Sequence, residues 1–159
     1  METMLMPKIG LEKKDLSKTI NDLTVVLSNE MVLYVKSRKF HWNVTGNSFM
    51  ELHKLFENQY STLEKTIDEI AERISKLGGK TIGTMKEFID NSILKEESKY
   101  INQNKMLEEL LDDHEKIITQ LREFIENAEN SKDVGTADFL TGVLQDHETK
   151  SWVLRKYLS

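Results

Sequence analysis

Between Ser48 and Leu77 apolar side chains recur at the three-and-four spacing of a helix that turns one face to a core. Leu52, Phe56, Leu63, Ile67, Ile70, Ile74 and Leu77 form a single stripe. A strand would bury alternate residues, and this run does not alternate, so the stretch predicts one long amphipathic helix. The same period returns in three other segments. Leu16, Ile20, Leu23, Leu27, Met31 and Tyr34 mark a first helix that continues through Ser37, Arg38 and Lys39 to His41 and Trp42. Met106, Leu107, Leu110, Leu111, His114, Ile117, Ile118, Leu121, Phe124 and Ile125 mark a third, from about residue 102 to 127. Phe139, Leu140, Val143, Leu144, His147, Trp152, Leu154 and Tyr157 mark a fourth. With Pro7 the one proline in 159 residues, the chain reads as all-α.

The punctuation between these segments organises them. Residues 1–10 read as a flexible tail that Pro7 and Gly10 close, leaving 11–159 as one domain. Asn43 to Asn47 break the first helix. Ser48 with Glu51 has the pattern of a capping box for the second, and Gly78 and Gly79 end it. Residues 80 to about 100 hold a helical pattern only from Met85 to Ile89, a crossover long enough to travel the length of a bundle. The polar loop ENSKDVG precedes Thr136, a reasonable N-cap for the last helix. Four helices with a long crossover between the second and third, carrying a short helix, describe a ferritin-like four-helix bundle.

The second helix also carries potential metal ligands. At about 100° per residue, His53, Glu57, Asp68 and Glu72 share a face over roughly a quarter turn, beside the apolar stripe. Glu57 and Asp68 stand about 16 Å apart at 1.5 Å per residue, so one ion cannot reach both. Two copies packed antiparallel about a two-fold near Thr62 and Leu63 would bring 57 opposite 68 and 53 opposite 72. Each of two identical sites would then draw on both copies. His41, at the end of the first helix, folds back toward the same place. Each acid taken alone reads better as a solvated helix charge, the default for a helix surface. Lys54, Lys65, Arg73 and Lys76, however, mostly fall elsewhere around the helix.

Composition narrows the chemistry. The chain has no cysteine, so disulfides, iron–sulfur clusters and thiolate zinc sites are excluded and any metal is held by nitrogen and oxygen. Apolar runs are too short for a membrane span and the start lacks the pattern of a signal peptide, so the cytoplasm or the nucleoid is the expected location. A formal charge of -5 argues against a broad nucleic-acid footprint. Within residues 1–18, Lys8, Lys13, Lys14 and Lys18 oppose Glu2, Glu12 and Asp15, a weak anchor for DNA.

No Glu-x-x-His occurs in the chain, so the pair that ferritins use for a di-iron site inside one bundle is absent. HWNVTG at 41–46, FMELHKLFE at 49–57, DEIAER at 68–73, LGG at 77–79 and TADFLTG at 136–142 together resemble the Dps family, the DNA-protection-during-starvation proteins or mini-ferritins. The likeness covers about residues 11–159. It implies that His41 and His53 are the ferroxidase histidines, that Glu72 and Asp68 are the carboxylates of the site, and that Trp42 is the aromatic beside it. Glu57 stands where many members have Asp, keeping the charge on a longer arm. The family's site lies at a two-fold dimer interface, the same place that the helix geometry reaches without it.

The resemblance further implies oxidation of Fe(II), preferably by hydrogen peroxide, and storage of ferric oxide in a hollow homo-dodecamer, with protection of DNA from oxidative damage. A DNA-compacting structural protein with little ferroxidase activity is the alternative. A scaffold whose site is vestigial is a third. Glu129, Asp133 and Asp138 are candidates for an acidic iron-entry pore, with a solvated turn as the competing explanation. His114 and His147 each lie beside an acid but lack a second ligand one turn away, and are read as polar helix positions. Trp152 suits either a subunit contact or the core.

Overall fold

A computed structural model describes residues 5–159. The part of the tail before Leu5 lies outside the described residues. Five helices follow in order: α1 (Lys13–Asn43), α2 (Phe49–Lys76), α3 (Met85–Asn91), α4 (Gln103–Asn130) and α5 (Val134–Leu158). Among the described residues there is no strand, and the four long helices form the ferritin-like bundle that the periodicity predicts. Its α1 and α2 make one antiparallel hairpin, α4 and α5 make another, and α1 packs on α4. Among the described residues no helix is long and apolar enough to cross a membrane.

The predicted stripes supply most of the core. Leu23, Leu52, Phe56, Leu63, Ile70, Ile74, Leu110 and Leu154 are sealed from solvent. Leu33 and Phe40 join them, extending the first helix's inner face beyond the expected positions. Ile67, Leu111, Ile118 and Ile125 pack at the edge. Trp152 is 53% exposed, which removes the core alternative for it.

Two helix N-termini differ from what their local patterns predict. Ser48 does stand at the N-cap of α2, but its side chain makes no capping bond, so the expected capping box is absent. A complete box occurs instead at α3: the Glu87 amide donates to Thr84 Oγ1 while the Thr84 amide donates to the Glu87 carboxylate. Thr136 is not the cap of the last helix. Asp133 is, because its carboxylate takes both the Thr136 amide at 3.0 Å and the Thr136 hydroxyl at 2.6 Å. At the end of α2 the expectation holds. Gly78 adopts φ +86°, its amide bonds to Ser75 O, and the Gly79 amide bonds to Ile74 O, the paired bonds of a Schellman motif.

The crossover runs from that end of α2 to the opposite end of the bundle. There the Gln103 side chain lies against Gly46 of the α1–α2 turn. Midway it is tied down by Asn29 on α1. The Asn29 side-chain oxygen accepts from Ser92 Oγ and the Ile93 amide, and its nitrogen donates to Gln120 on α4. Lys36 forms a buried ion pair with Asp113 at 2.7 Å, a second tie between α1 and α4.

Gly78→Ala is expected to destabilise the protein by about 1–2 kcal/mol, the cost of a left-handed conformation for a residue with a Cβ. That Cβ would also stand 2.7 Å from Pro7 Cδ, forcing the tail off the glycine. A lower urea midpoint at unchanged slope is the expected result.

Candidate metal centre

The α1–α2 turn brings His41, in the last turn of α1, against His53, in the second turn of α2. Gly46 makes the reversal possible at φ +116°, and the buried Val44 closes the turn beneath it. Two hydrogen bonds then cross between the helices. His41 Nδ1 donates to the His53 carbonyl at 2.7 Å, and His53 Nδ1 donates to the His41 carbonyl at 2.8 Å. The second of these also gives a partner to one of the carbonyls that a helix leaves open in its last turn.

These bonds decide the state of both rings. A carbonyl only accepts, so each Nδ1 must carry the proton, and in the neutral ring each Nε2 is then a bare lone pair. This is the form in which imidazole binds a metal, with its orientation fixed by the bond on the other nitrogen. The rings stack with centroids 3.8 Å apart and planes 15° from parallel, so the pair is held as a unit. Phe49 stacks behind His53 at 5.2 Å and Tyr60 meets His41 edge-on at 5.2 Å. His41 is buried and His53 half-buried.

Glu57 follows His53 by one turn of α2 and is exposed, as are Asp68 and Glu72 about three and four turns further along. Among the described residues no three His, Asp or Glu side chains gather closely enough to hold a metal ion. One chain therefore presents a histidine end and a carboxylate end on the same helix. The structure unites His41 with His53 and leaves Asp68 and Glu72 apart from them, as the spacing along α2 requires.

Next to the histidines lies a group that the motifs did not single out. The Arg38 guanidinium sits 4.5 Å from the Tyr60 ring centroid, 5.4 Å from Trp42 and 5.5 Å from Tyr34, and donates to the Tyr34 hydroxyl at 2.7 Å. Tyr34, Arg38 and Trp42 are spaced four residues apart, a signal of a shared helix face that was available in the sequence. Their role is to brace Tyr60 and Trp42 beside the site by cation–π contact.

Of the acidic loop residues, Glu129 and Asp138 are exposed, whereas Asp133 is 4% exposed and already engaged. Besides capping α5, its Oδ1 accepts from Arg73 Nη2 at 3.3 Å, while Arg73 Nε and Nη2 both donate to Thr136 Oγ1. Arg73, the last residue of the DEIAER run, thus clamps the start of α5 onto α2.

The sequence profile described as a ferritin-like domain matches residues 20–159. A "DNA protection during starvation protein 2" of Bacillus anthracis is 37% identical, with 89% of this chain and 97% of that protein covered. An uncharacterised low-temperature-induced protein of Nostoc is 40% identical, over 96% of this chain and 88% of its own. Among solved structures, a Dps protein from Vibrio cholerae O1, described as a member of a broad superfamily of ferritin-like diiron-carboxylate proteins, superposes with a TM-score of 0.93. It is 30% identical and covers all of both chains.

Arg73→Ala should destabilise the protein by about 1–3 kcal/mol, because it strips a partner from a buried carboxylate and a buried hydroxyl. Chemical denaturation reads this directly. A wild-type midpoint in the variant would show that the clamp contributes nothing.

Proposed function

The chain belongs to the Dps family of ferritin-like proteins, and from that premise we propose that it oxidises ferrous iron at sites shared between two copies and stores the ferric product. The observation that carries this reading is the reciprocal His41–His53 pair, which leaves both Nε2 atoms free beside an exposed Glu57. Asp68 and Glu72 lie on the same helix but about 16 Å or more along it. An antiparallel α2–α2 contact about a two-fold near Thr62 and Leu63 supplies them from the other copy, and the symmetry makes two sites of each contact.

Iron is the substrate here. Imidazole nitrogen and carboxylate oxygen suit Fe(II) and leave positions open for an oxidant. His41 and His53 hold the ion from one copy, their rings locked by the carbonyl bonds. Asp68 and Glu72 of the facing copy add negative charge, which favours the ferric state that oxidation produces. Glu57 reaches farther than an aspartate would and serves as the carboxylate linking a second ion to the first. Hydrogen peroxide takes two electrons, one from each of two ferrous ions, so a paired site matches it. Consuming iron and peroxide together removes the reagents of hydroxyl-radical chemistry, which is how such a protein protects DNA.

The ferric product is stored inside a closed homo-oligomer, a dodecamer in this reading. Glu129 and Asp138, both exposed, are suited to attract cations at an entry pore. Asp133 contributes through the loop that it braces, since its oxygens already have partners.

Anaerobic loading with Fe(II), followed by a peroxide pulse, tests the reading through ferric absorbance. A His41→Ala, His53→Ala double variant should lose the fast phase by at least the roughly 10–100-fold that loss of even an outer-shell partner costs a metal site. Equal rates in variant and wild type would make the histidines structural and return the chain to the scaffold alternative.

A further inference from the structure

Away from the candidate metal centre, three ionisable side chains meet inside the bundle: Glu30 of α1, His114 of α4 and His147 of α5. None is more than 1% exposed. His147 Nε2 donates to Glu30 Oε1 at 2.5 Å, and the two imidazoles share a bond between their Nδ1 atoms at 2.8 Å. Both histidines stand on the inner stripes of their helices, and these polar helix positions are sealed in the core, where each ring finds its partner on another helix.

The chain of bonds ends abruptly. His114 Nε2 and Glu30 Oε2 are buried without partners. Tyr34 pairs with Tyr60 and Lys36 with Asp113, so Gln59 of α2 lies at a neighbouring level, and both of its side-chain polar atoms are likewise buried and unpartnered. A buried polar group without a partner destabilises the fold, and a charge in its place does so more strongly. We propose that Glu30, His147 and His114 form a proton-sensitive lock that holds α4 and α5 on α1, and that it accepts one imidazole charge but not two, so that acid opens the bundle from within.

Protons can be counted along the triad. Glu30 as a carboxylate is an acceptor, so His147 Nε2 carries a hydrogen. One further proton lies between the two Nδ1 atoms. When His114 Nε2 is also protonated, the shared proton belongs to His147, which is then an imidazolium against Glu30, and the neutral His114 points an N–H into a dry core. With one proton fewer, the shared proton belongs to His114 Nδ1, both rings are neutral and His114 Nε2 presents a lone pair there. A proton beyond these states charges both rings, 2.8 Å apart and with one carboxylate between them.

The charged and titratable groups acting on His114 are His147 and Lys150 from α5, with Glu30 of α1 reached only through His147, while α2 brings the uncharged Gln59 amide to this level. Burial first, then His147 and Lys150, hold His114 well below the ordinary imidazole value. An unfolded chain takes up this proton as pH falls through about 6.5, whereas the folded one stays neutral to lower pH. The unfolded state therefore binds more protons below that pH, and the folding constant drops by about tenfold per pH unit. Glu109 works in the opposite sense. Burial and the facing Glu97 carboxyl push it up to about 7, so it weakens folding as pH rises from about 4.5 to 7.

Denaturation of the intact assembled protein from pH 8 to 5 at fixed concentration, wild type against His114→Gln, isolates the lock, since Glu109 is common to both. The two should run parallel above about 6.5 and then diverge by about tenfold per pH unit, the wild type falling faster. Glu30→Gln, which removes the carboxylate that tolerates the first imidazolium, should make acid unfolding set in at higher pH. Imidazole NMR gives a readout independent of folding. His114 should stay neutral at pH values where an exposed histidine is charged. Parallel stability curves below pH 6.5, or an ordinary titration of His114, would overturn the proposal.

Discussion

Two imidazole-to-carbonyl hydrogen bonds cross the α1–α2 hairpin, and the arrangement of the rest of the site depends on them. They join helix ends that a five-residue turn would otherwise leave free to splay, and they do so with the same side chains that serve as ligands in the proposed function. Because a carbonyl offers no proton, the bonds also choose the tautomer, so structural support and chemical readiness come from one contact. Phe40 and Phe56, sealed beneath the pair with centroids 6.3 Å apart, give it a rigid floor.

The same logic of paired polar groups runs through the interior. Lys36 with Asp113, Arg73 with Asp133 and Thr136, and Glu30 with His147 and His114 each bind a helix of one hairpin to a helix of the other. Burying charge is expensive, so such pairs are poor sources of net stability and good means of selecting one alignment of helices over its neighbours. An apolar stripe tolerates sliding by a turn; a carboxylate that must meet one imidazole does not. Asn29 does the same for the crossover, holding it against α1 and α4 with three bonds.

The centre's incompleteness within one chain follows from helix geometry. A rise of about 1.5 Å per residue separates the histidine end of α2 from its carboxylate end by more than any ion can bridge. Oligomerisation and iron chemistry are therefore coupled in the proposed function, since neither copy alone assembles the ligands. The exposed Trp42, Phe49 and Met50 beside the histidines form an apolar surface that the proposed contact between copies would cover.

The sequence by itself determined four long helices, the crossover, the core stripes and the family. Each is written in local periodicity or in short motifs: the stripe from Leu52 to Leu77, the Gly78–Gly79 stop, and HWNVTG followed by FMELHKLFE. Which cap closes a helix was less legible, because Ser48 and Thr136 have suitable side chains and only the backbone shows that Thr84 and Asp133 do the capping. The tertiary structure alone decided that Asp133 is buried, that Arg38 gathers three aromatic rings, that His41 and His53 share one tautomer and that His114 and His147 meet in the core. Those outcomes depend on how one helix is set against another, a register carried by contacts between residues up to 117 positions apart that no local pattern records.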